Sequence, residues 1–268
     1  MKLADCRTLL TGAGSGIGRC LALALAARGA KLVLVGRNAA RLDAVAVEIT
    51  DAGGNAVALP HDLNIPDGHA HLLRSAIRRL GGVDLLINNA GVSGFGEFAR
   101  ENPADIDNLI NTNITAPLLL TRAVLPVMLG AGSGRIVNIG SILGSIGLAH
   151  FAAYSASKFA LRGFSEALRR ELAGSGVGVS YVAPRTTRTT FNTDALYRLS
   201  AASGTAIDDA AMVAGIIIDA IVGDRDEVYI GWPEKLAVRL NALLPGLIGR
   251  VTRKQDAAAR QLLRGAQP

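Results

Sequence analysis

The sequence predicts a single-domain α/β protein with a doubly wound parallel β-sheet of about seven strands and helices on both faces. Short runs rich in Val, Ile and Leu alternate with helical stretches at the spacing of βαβ units. The runs are continuously apolar, as expected of strands that are covered on both faces. Glycine-rich or polar turns follow several of them, and sheets of this class bind their ligands at the carboxyl ends of the strands.

The composition indicates a globular protein without a signal peptide, a membrane-spanning segment or a disulfide framework. Half of the 268 residues are apolar, which is ample for one core, and the 31 glycines indicate many tight turns. Residues 1–7 contain no apolar signal core, and apolar runs such as residues 20–27 are too short to span a membrane. Cys6 and Cys20 give neither a disulfide framework nor a metal-binding spacing. We therefore expect a cytoplasmic protein without a metal.

The net charge of +6 is concentrated near the C-terminus. Residues 232–268 contain seven lysines or arginines and two acids, a net charge of +5. A nucleic-acid-binding protein needs a recognisable binding module or stacking aromatics beside its basic patch, and aromatic residues make up 4% of this chain. We therefore expect no nucleic-acid partner and interpret the excess charge as a solvated basic tail.

The first predicted strand, residues 7–11, leads into a glycine-rich turn and a helix over residues 17–28. Strand, glycine turn and helix in this order are the context in which such a turn binds a dinucleotide. Glycines let the backbone approach a pyrophosphate, and the helix N-terminus offers free N–H groups. The predicted cofactor-binding residues of this turn are Gly12, Ser15, Gly16, Ile17 and Gly18.

The second predicted strand, residues 31–36, ends in Gly36-Arg37-Asn38. An acid at this point would bind the ribose hydroxyls of NAD, whereas an arginine suits the 2′-phosphate of NADP. Arg37 therefore favours NADP, with NAD as the less favoured cofactor. The alternative is an ordinary surface arginine at the start of the next helix.

The remaining elements alternate along the chain. The predicted helices cover residues 39–52, 67–80 and 104–130, and a further helix carries Tyr154 and ends near residue 173. The predicted strands cover residues 55–60, 83–87, 134–139, 177–183 and 227–231. The long helix contains Asn113, and an asparagine in a helix interior usually has a hydrogen-bonding role.

Tyr154 and Lys158 lie four residues apart, so on a helix their side chains share one face. A phenol titrates near ~10 and exchanges protons poorly at neutral pH. A nearby ammonium favours the phenolate, so we expect Lys158 to lower the pKa of Tyr154. Ser141 is predicted to follow a strand, where its hydroxyl can meet a substrate oxygen. The three groups suit proton transfer at a carbonyl or an alcohol.

Several motifs occur together in order: Thr11-Gly12-x-x-x-Gly16-x-Gly18, Asn88-Asn89-Ala90-Gly91, Asn113, Ser141 and Tyr154-x-x-x-Lys158. In this set the chain resembles the short-chain dehydrogenase/reductase family, over about residues 7–189. The resemblance implies a Rossmann-type fold. It also implies an oxidoreductase that interconverts a ketone or aldehyde and an alcohol. Together with Arg37, it gives our main hypothesis, an NADP-dependent enzyme that acts on a moderately apolar small molecule.

The resemblance also assigns roles to residues. It implies that Tyr154 is the general acid–base and that Ser141 polarises the substrate oxygen. It further implies that Lys158 binds the nicotinamide ribose and lowers the pKa of Tyr154, and that Asn113 supports a water-linked proton path. The further residues implied along the cofactor are Asp62, Leu63, Asn89, Ala90, Gly91, Pro184, Thr187 and Thr189.

The chain departs from the family pattern after the sixth strand. Where the family usually has Pro-Gly, this chain has Pro184-Arg185. Arg185 is expected to contact a phosphate, to meet an acidic substrate group or to point to solvent. Residues 190–209, rich in Ala, Ser and Thr, are predicted to form a lid over the substrate.

The C-terminus is the second departure. We expect residues 1–231 to form the catalytic domain and residues 232–268 to form a basic, partly apolar extension. One interpretation places this tail on an anionic membrane surface. The other places it over the substrate cleft or against a partner subunit. The resemblance implies a homodimer or homotetramer.

The sequence is compatible with three functions. The first is the NADP-dependent oxidoreductase. The second is a catalytically silent NADP(H)-binding regulator or scaffold of the same fold, against which the intact Ser141, Tyr154, Lys158 and Asn113 argue. The third is a peripheral membrane protein whose tail is its main functional part.

Overall fold

The computed structural model describes residues 1–65 and 68–265. Seven parallel strands form one sheet in the order β3-β2-β1-β4-β5-β6-β9, and β7 and β8 form a separate parallel pair. This confirms the predicted Rossmann-type doubly wound fold. The strands are β1 (Arg7–Thr11), β2 (Lys31–Gly36), β3 (Asn55–Pro60), β4 (Leu85–Asn88), β5 (Gly134–Ile139), β6 (Val177–Ala183), β7 (Thr187–Arg188), β8 (Asp208–Asp209) and β9 (Glu227–Tyr229).

Helices cover both faces of the sheet and enclose two cores. One core contains Leu21 and Ile217, and the other contains Leu120 and Leu168; all four side chains are buried. The helices are α1 (Gly16–Ala26), α2 (Ala39–Asp51), α3 (Gly68–Leu80), α4 (Pro103–Ile110), α5 (Ala116–Ala131), α6 (Ala152–Glu171), α7 (Asp194–Ser203), α8 (Ala210–Val222), α9 (Glu234–Leu243), α10 (Pro245–Val251) and α11 (Arg253–Gly265).

The strand order places the ligand crevice. The chain runs outward from β1 to β3 and then returns to β4 on the other side of β1. The loops that follow β1 and β4 therefore separate at their carboxyl ends, and such a switch point is where open α/β sheets bind ligands. Continuous apolar runs explain the strands themselves, since residues 32–35 of β2 are all fully buried.

The predicted long helix over residues 104–130 is interrupted. Residues Asn111–Thr115 form a π-helical turn between α4 and α5. The periodicity of apolar residues continues across this turn, so the sequence pattern gave no sign of the extra residue. π-Turns are rare and occur frequently at functional sites, and this one contains Asn113.

Other boundaries and elements also differ from the prediction. Strand β4 begins at Leu85 rather than residue 83, and β9 ends at Tyr229 rather than residue 231. The predicted first residue of α3, Asp67, lies outside the described residues. The predicted lid over residues 190–209 contains α7, and α8 follows it as a buried apolar helix that was not predicted.

The run Pro103–Ala131 is long and apolar enough to cross a membrane by length and composition. A third of its most apolar window is buried in the fold, where Leu120, Val124 and Met128 pack against the sheet. The same run holds Asn113 in the protein interior. It is therefore accounted for as a core helix of the α/β layers.

The tail packs against the domain at two places. Val238 of α9 and Ile248 of α10 lie in a cluster with Ile142, Ile146 and Tyr181. Helix α11 packs on α7, and its Ala259 is 1% exposed in a cluster with Leu109, Phe151, Ala153, Tyr154, Leu196 and Leu199. The tail thus packs against α7 and against the β6 side of the sheet.

Candidate active site

A cavity of about 410 Å³ opens at the carboxyl ends of β1, β4, β5 and β6. It contains the glycine turn at one end and Tyr154 at the other. The sequence-predicted residues that line it are Gly12, Ser15, Gly16, Ile17, Gly18, Arg37, Asn89, Ala90, Gly91, Ser141, Tyr154, Lys158, Pro184, Thr187 and Thr189. The structure therefore brings together side chains that are widely separated in sequence.

The glycine turn has the backbone that a pyrophosphate requires. Gly12 and Gly16 adopt φ values of 67° and 51°, where a side chain is strained. A Cβ on Gly12 would lie 2.8 Å from Asn89 Nδ2, and a Cβ on Gly18 would overlap the Gly12 carbonyl oxygen. Ser15 precedes α1 without a side-chain capping hydrogen bond. The first N–H groups of α1 thus have no side-chain cap from Ser15, and the turn fits the anionic part of a dinucleotide.

Thr11 fastens the glycine turn to the loop that follows β4. Its Oγ1 accepts hydrogen bonds from the backbone N–H groups of Asn89 and Ala90, both at 3.0 Å. In return, Asn89 Nδ2 donates to the carbonyl oxygens of Thr11 and Gly12 at 3.0 and 3.2 Å. These bonds cross the switch point and fix the width of the crevice where a cofactor would lie.

A second cavity of about 210 Å³ shares Gly12, Ser15 and Arg37 with the first. Arg37 follows β2, and Arg41 lies one turn farther on in α2; both line the two cavities. The second cavity is also lined by Asp62 and Leu63, the predicted adenine-contacting residues. The adenosine end of the groove is therefore bordered by two guanidinium groups.

Asn113 lies beneath the cavity and does not line it. Its Oδ1 accepts from Val92 N at 2.8 Å, and its Nδ2 donates to Val92 O at 2.9 Å and to Ser157 Oγ at 3.1 Å. The side chain is fully buried. Asn113 therefore joins the loop after β4 to helix α6, which carries Tyr154 and Lys158.

Ser141 and Tyr154 meet at the substrate end of the cavity. Tyr181 holds the Ser141 backbone, since its hydroxyl accepts from Ser141 N at 3.4 Å and donates to Ser141 O at 3.2 Å. Burial raises the pKa of Tyr154 to about 12, and its hydrogen bond with the Ser141 hydroxyl opposes this only in part. The direction is opposite to the expectation from sequence, because desolvation has the largest influence on this pKa.

Lys158 is buried on the same side of α6. Its Nζ donates to Ile139 O at 3.1 Å and lies 5.8 Å from the centre of the Tyr154 ring. Burial lowers the pKa of this ammonium to about 8. At neutral pH, Tyr154 is thus a protonated phenol beside a largely charged lysine.

Lys158 should make the protein less stable than an uncharged residue would. Its pKa falls from 10.5 to about 8 on folding, so between these values the folded protein binds fewer protons than the unfolded chain. Stability then rises with pH through that range, and the charged form costs roughly 3 kcal/mol below it. We expect Lys158→Met to raise the free energy of unfolding at neutral pH by roughly 1–3 kcal/mol, because the hydrogen bond to Ile139 is also lost.

Urea unfolding at neutral pH and near pH ~10 would measure this difference. It should shrink at the higher pH, where the folded wild type holds a neutral lysine. The exposed Lys2→Met is the control and should change stability little at either pH. A Lys158→Met protein that is less stable than wild type at neutral pH would contradict the desolvation argument.

The substrate end of the cavity is apolar. Phe191 lies 6.3 Å from the Tyr154 ring between ring centres and is 39% exposed. The other apolar side chains that line the cavity near Tyr154 are Leu143, Leu148, Phe151, Leu196 and Leu199. An apolar wall therefore lies beside the polar pair Ser141–Tyr154.

Residues 187–192 lie across the groove. Tyr197 of α7 accepts from Thr189 N at 2.9 Å and donates to Thr189 O at 2.7 Å, which fixes the backbone of this residue. A Cβ on Gly16 would lie 2.9 Å from the Thr189 methyl group. Asn192 Nδ2 donates to Thr187 O at 2.7 Å. The loop therefore closes on the glycine turn and brings Thr187 and Thr189 into the cavity wall.

Arg185 lines the cavity and forms ion pairs with two acids of this chain, which the sequence did not predict. Its Nε and Nη2 donate to both carboxylate oxygens of Asp208 at 3.0 and 2.7 Å, and its Nη1 donates to Glu234 Oε2 at 3.0 Å. The Arg185 side chain is 15% exposed and that of Asp208 is 6% exposed. Arg185 therefore joins Asp208 of β8 to the start of α9.

Within residues 1–65 and 68–265, no group of three His, Cys, Asp or Glu side chains is arranged to hold a metal ion.

The family model named short chain dehydrogenase matches residues 7–198 of this chain.

The chain belongs to the short-chain dehydrogenase family. This confirms the resemblance drawn from its motifs. As a short-chain dehydrogenase it is an oxidoreductase, and solved relatives hold NADP or NAD.

Two curated relatives cover most of the chain. The ketoacyl reductase HetN of Nostoc sp. is 37% identical over 252 residues, 91% of this chain and 87% of that protein. Dehydrogenase/reductase SDR family member 7B of Bos taurus is 34% identical over 257 residues, 91% of this chain and 79% of that protein.

Two solved short-chain dehydrogenases share the fold along nearly their whole length. A metagenomic short-chain oxidoreductase in complex with NADP has a TM-score of 0.73 and 34% identity, and the match covers 86% of this chain and 98% of that one. A short-chain dehydrogenase/reductase from Burkholderia phymatum in complex with NAD has a TM-score of 0.84 and 26% identity, with 92% and 96% covered.

Several residues that line or support the cavity of this short-chain dehydrogenase were not identified individually from the sequence. Arg41 could have been found, because it is a second arginine four residues after Arg37, in the first turn of the helix that follows β2. Phe191, Tyr197 and Ala259 gave no local signal, since they reach the site only through the packing of the lid and the tail.

Proposed function

We propose that this protein is an NADPH-dependent reductase of an apolar ketone or aldehyde, with Tyr154 as the proton donor. The observation that carries the proposal is the pairing of Tyr154 with Ser141 at the apolar end of a groove whose other end is bordered by Arg37 and Arg41. The groove joins a site for a phosphorylated dinucleotide to a site for a reducible oxygen.

Some residues of the chain would transfer the proton, and others would orient the substrate and the cofactor. A bound nicotinamide cofactor supplies or accepts the hydride. Ser141 donates a hydrogen bond to the carbonyl oxygen, and Tyr154 delivers a proton to it as negative charge develops. Because the phenol holds its proton at neutral pH, it can serve as the acid when a carbonyl is reduced. Lys158 provides positive charge beneath it, and Thr187 and Thr189 lie where they can hold the nicotinamide end.

Calorimetric titration with NADPH and with NADH tests the cofactor half of the proposal. We expect tighter binding of NADPH, because its 2′-phosphate gains charge-assisted hydrogen bonds from arginine. Activity with NADPH on a panel of apolar ketones and aldehydes tests the other half. A folded protein that binds neither nucleotide, or one that prefers NADH, would overturn the assignment of Arg37.

Arg37→Asp should move the cofactor preference toward NADH. The substitution removes a partner of the 2′-phosphate and places a carboxylate where it can accept hydrogen bonds from ribose hydroxyls. We expect the ratio of kcat/KM for NADPH to that for NADH to fall roughly 10- to 100-fold, the worth of one or two hydrogen bonds to a charged group.

Arg28→Asp carries the same change of charge on an exposed residue after α1, away from the groove. It serves as the control and should leave that ratio unchanged. If both variants shift the ratio equally, the effect comes from net charge and Arg37 does not contact the cofactor.

A further inference from the structure

The tail helices carry a concentrated group of exposed apolar side chains. Of the fifteen large hydrophobic residues that are exposed in the described chain, six lie within residues 232–251. They are Trp232 (70% exposed), Leu236 (43%), Leu243 (78%), Leu244 (55%), Leu247 (46%) and Val251 (68%). Single exposed hydrophobic residues are common, whereas a group this dense marks an interaction site.

Other side chains attach the tail helices to the rest of the fold. The buried side is fixed, since Val238 and Ile248 pack into the domain and Asn241 Nδ2 donates to Ser145 O at 2.9 Å. Leu243 and Leu244 lie at the turn between α9 and α10, and Leu244 O accepts from Leu247 N at 3.0 Å. The leucines at the turn therefore project from a firmly attached pair of helices. We name residues 232–253 the tail surface.

The exposed charges of the tail surface are all positive. Lys235, Arg239, Arg250 and Arg253 are exposed, and in the described chain none of them forms an ion pair. The single acid of this segment, Glu234, is already paired with Arg185. The surface thus combines apolar side chains with unneutralised basic residues.

We propose that the tail surface docks the protein on an anionic lipid bilayer. Leucines at the turn would enter the boundary between headgroups and acyl chains, with the basic residues facing anionic headgroups. Each such lysine or arginine contributes about 1 kcal/mol near a negatively charged leaflet, roughly a fivefold gain in binding. Trp232 is a residue type that concentrates at membrane interfaces. The proposal is independent of the reaction catalysed.

A second copy of this chain fits the tail surface less well. A twofold dimer places the same patch on both subunits. Four unpaired cations would then face four others across the interface, without an acid in the segment to neutralise them. An anionic lipid surface supplies the opposite charge.

The chain contains a single tryptophan, Trp232, so its fluorescence reports on this surface directly. The full-length protein should be mixed with vesicles of phosphatidylcholine alone and with vesicles that also contain phosphatidylserine. We expect a blue shift of the emission and co-sedimentation only with the anionic vesicles, both reduced by high salt.

Two pairs of variants separate the apolar and the electrostatic contributions. Leu243→Glu with Leu247→Glu should weaken co-sedimentation at least about tenfold, because charges replace two exposed leucines that would enter the bilayer. Lys235→Glu with Arg239→Glu should also weaken it at least about tenfold. The matched controls are Val47→Glu with Met212→Glu and Arg74→Glu with Arg122→Glu, which make the same changes on exposed residues outside the tail surface.

The outcomes are distinct. Loss of binding in the tail variants alone, with unchanged circular dichroism, supports membrane docking. Equal binding to both kinds of vesicle, no binding to either, or equal losses in the control variants would overturn it. A wild-type dimer in analytical ultracentrifugation that Leu243→Glu with Leu247→Glu converts to monomer, without vesicle binding, would assign the surface to a second copy instead.

Discussion

Tyr154→Phe is expected to lower kcat by about 10²- to 10⁴-fold, the usual contribution of a positioned general acid or base. The substitution removes one hydroxyl from a side chain that is 8% exposed and fills the same volume. The proton donor is lost, whereas the glycine turn and the arginines at the far end of the groove are untouched. Affinity for NADPH should therefore change little.

Stopped-flow measurement of NADPH consumption, together with calorimetry, would separate the two effects. Tyr229→Phe is the control, since it removes the same atom from a half-buried tyrosine that does not line the cavity. A Tyr154→Phe enzyme that turns over at the wild-type rate would contradict the assignment of Tyr154 as proton donor.

The sequence was sufficient for the sheet and for most of the site because both depend on local patterns. Strands β2 and β6 are continuous apolar runs, and their bounds agree with the prediction. Site residues at strand ends, such as Gly12 and Ser141, converge because parallel strands place their carboxyl ends at one edge of the sheet. Motif order and topology together therefore predict which residues meet.

The features that were not predicted depend on tertiary packing, and tertiary packing produces no periodic pattern in the sequence. The direction of the Tyr154 pKa was predicted wrongly, because the spacing to Lys158 is visible in the sequence whereas the depth of burial is not. The π-turn at Asn113 preserves the apolar pattern of its helix. The partners of Arg185 lie 23 and 49 residues away, so no local rule identifies them.

Arg185 holds three segments that frame the cleft, and its loss should have a large effect. Arg185→Ala leaves Asp208 buried without its bidentate partner. Breaking a fully buried pair costs ~3–5 kcal/mol; we expect roughly 2–3 kcal/mol here because Arg185 and Glu234 keep some contact with water. In a domain of this size that corresponds to a fall in Tm of about 4–12 °C.

The same substitution should raise KM more than it lowers kcat. Asp208 pairs with the loop that carries Thr187 through β7 and β8, and Glu234 anchors α9. Loosening both would let the lid and the tail separate from the cleft, whereas Ser141, Tyr154 and Lys158 are held by bonds that do not involve Arg185. The expected result is therefore a weaker substrate site around intact proton-transfer groups.

Arg7→Ala is a matched control, because Arg7 forms the other bidentate arginine–aspartate contact, with Asp84, at the amino ends of β1 and β4. It should lower Tm and leave KM unchanged, since that end of the sheet is remote from the cleft. Arg185→Lys keeps the positive charge but not the planar pair of donors. Its Tm and its KM should therefore lie between those of Arg185→Ala and those of the wild type. If Arg185→Ala and Arg7→Ala lower Tm alike and neither changes KM, Arg185 stabilises the fold without positioning the lid. A rise in KM confined to the Arg185 variants would instead mean that the ion pairs set how tightly the lid and the tail close the substrate site.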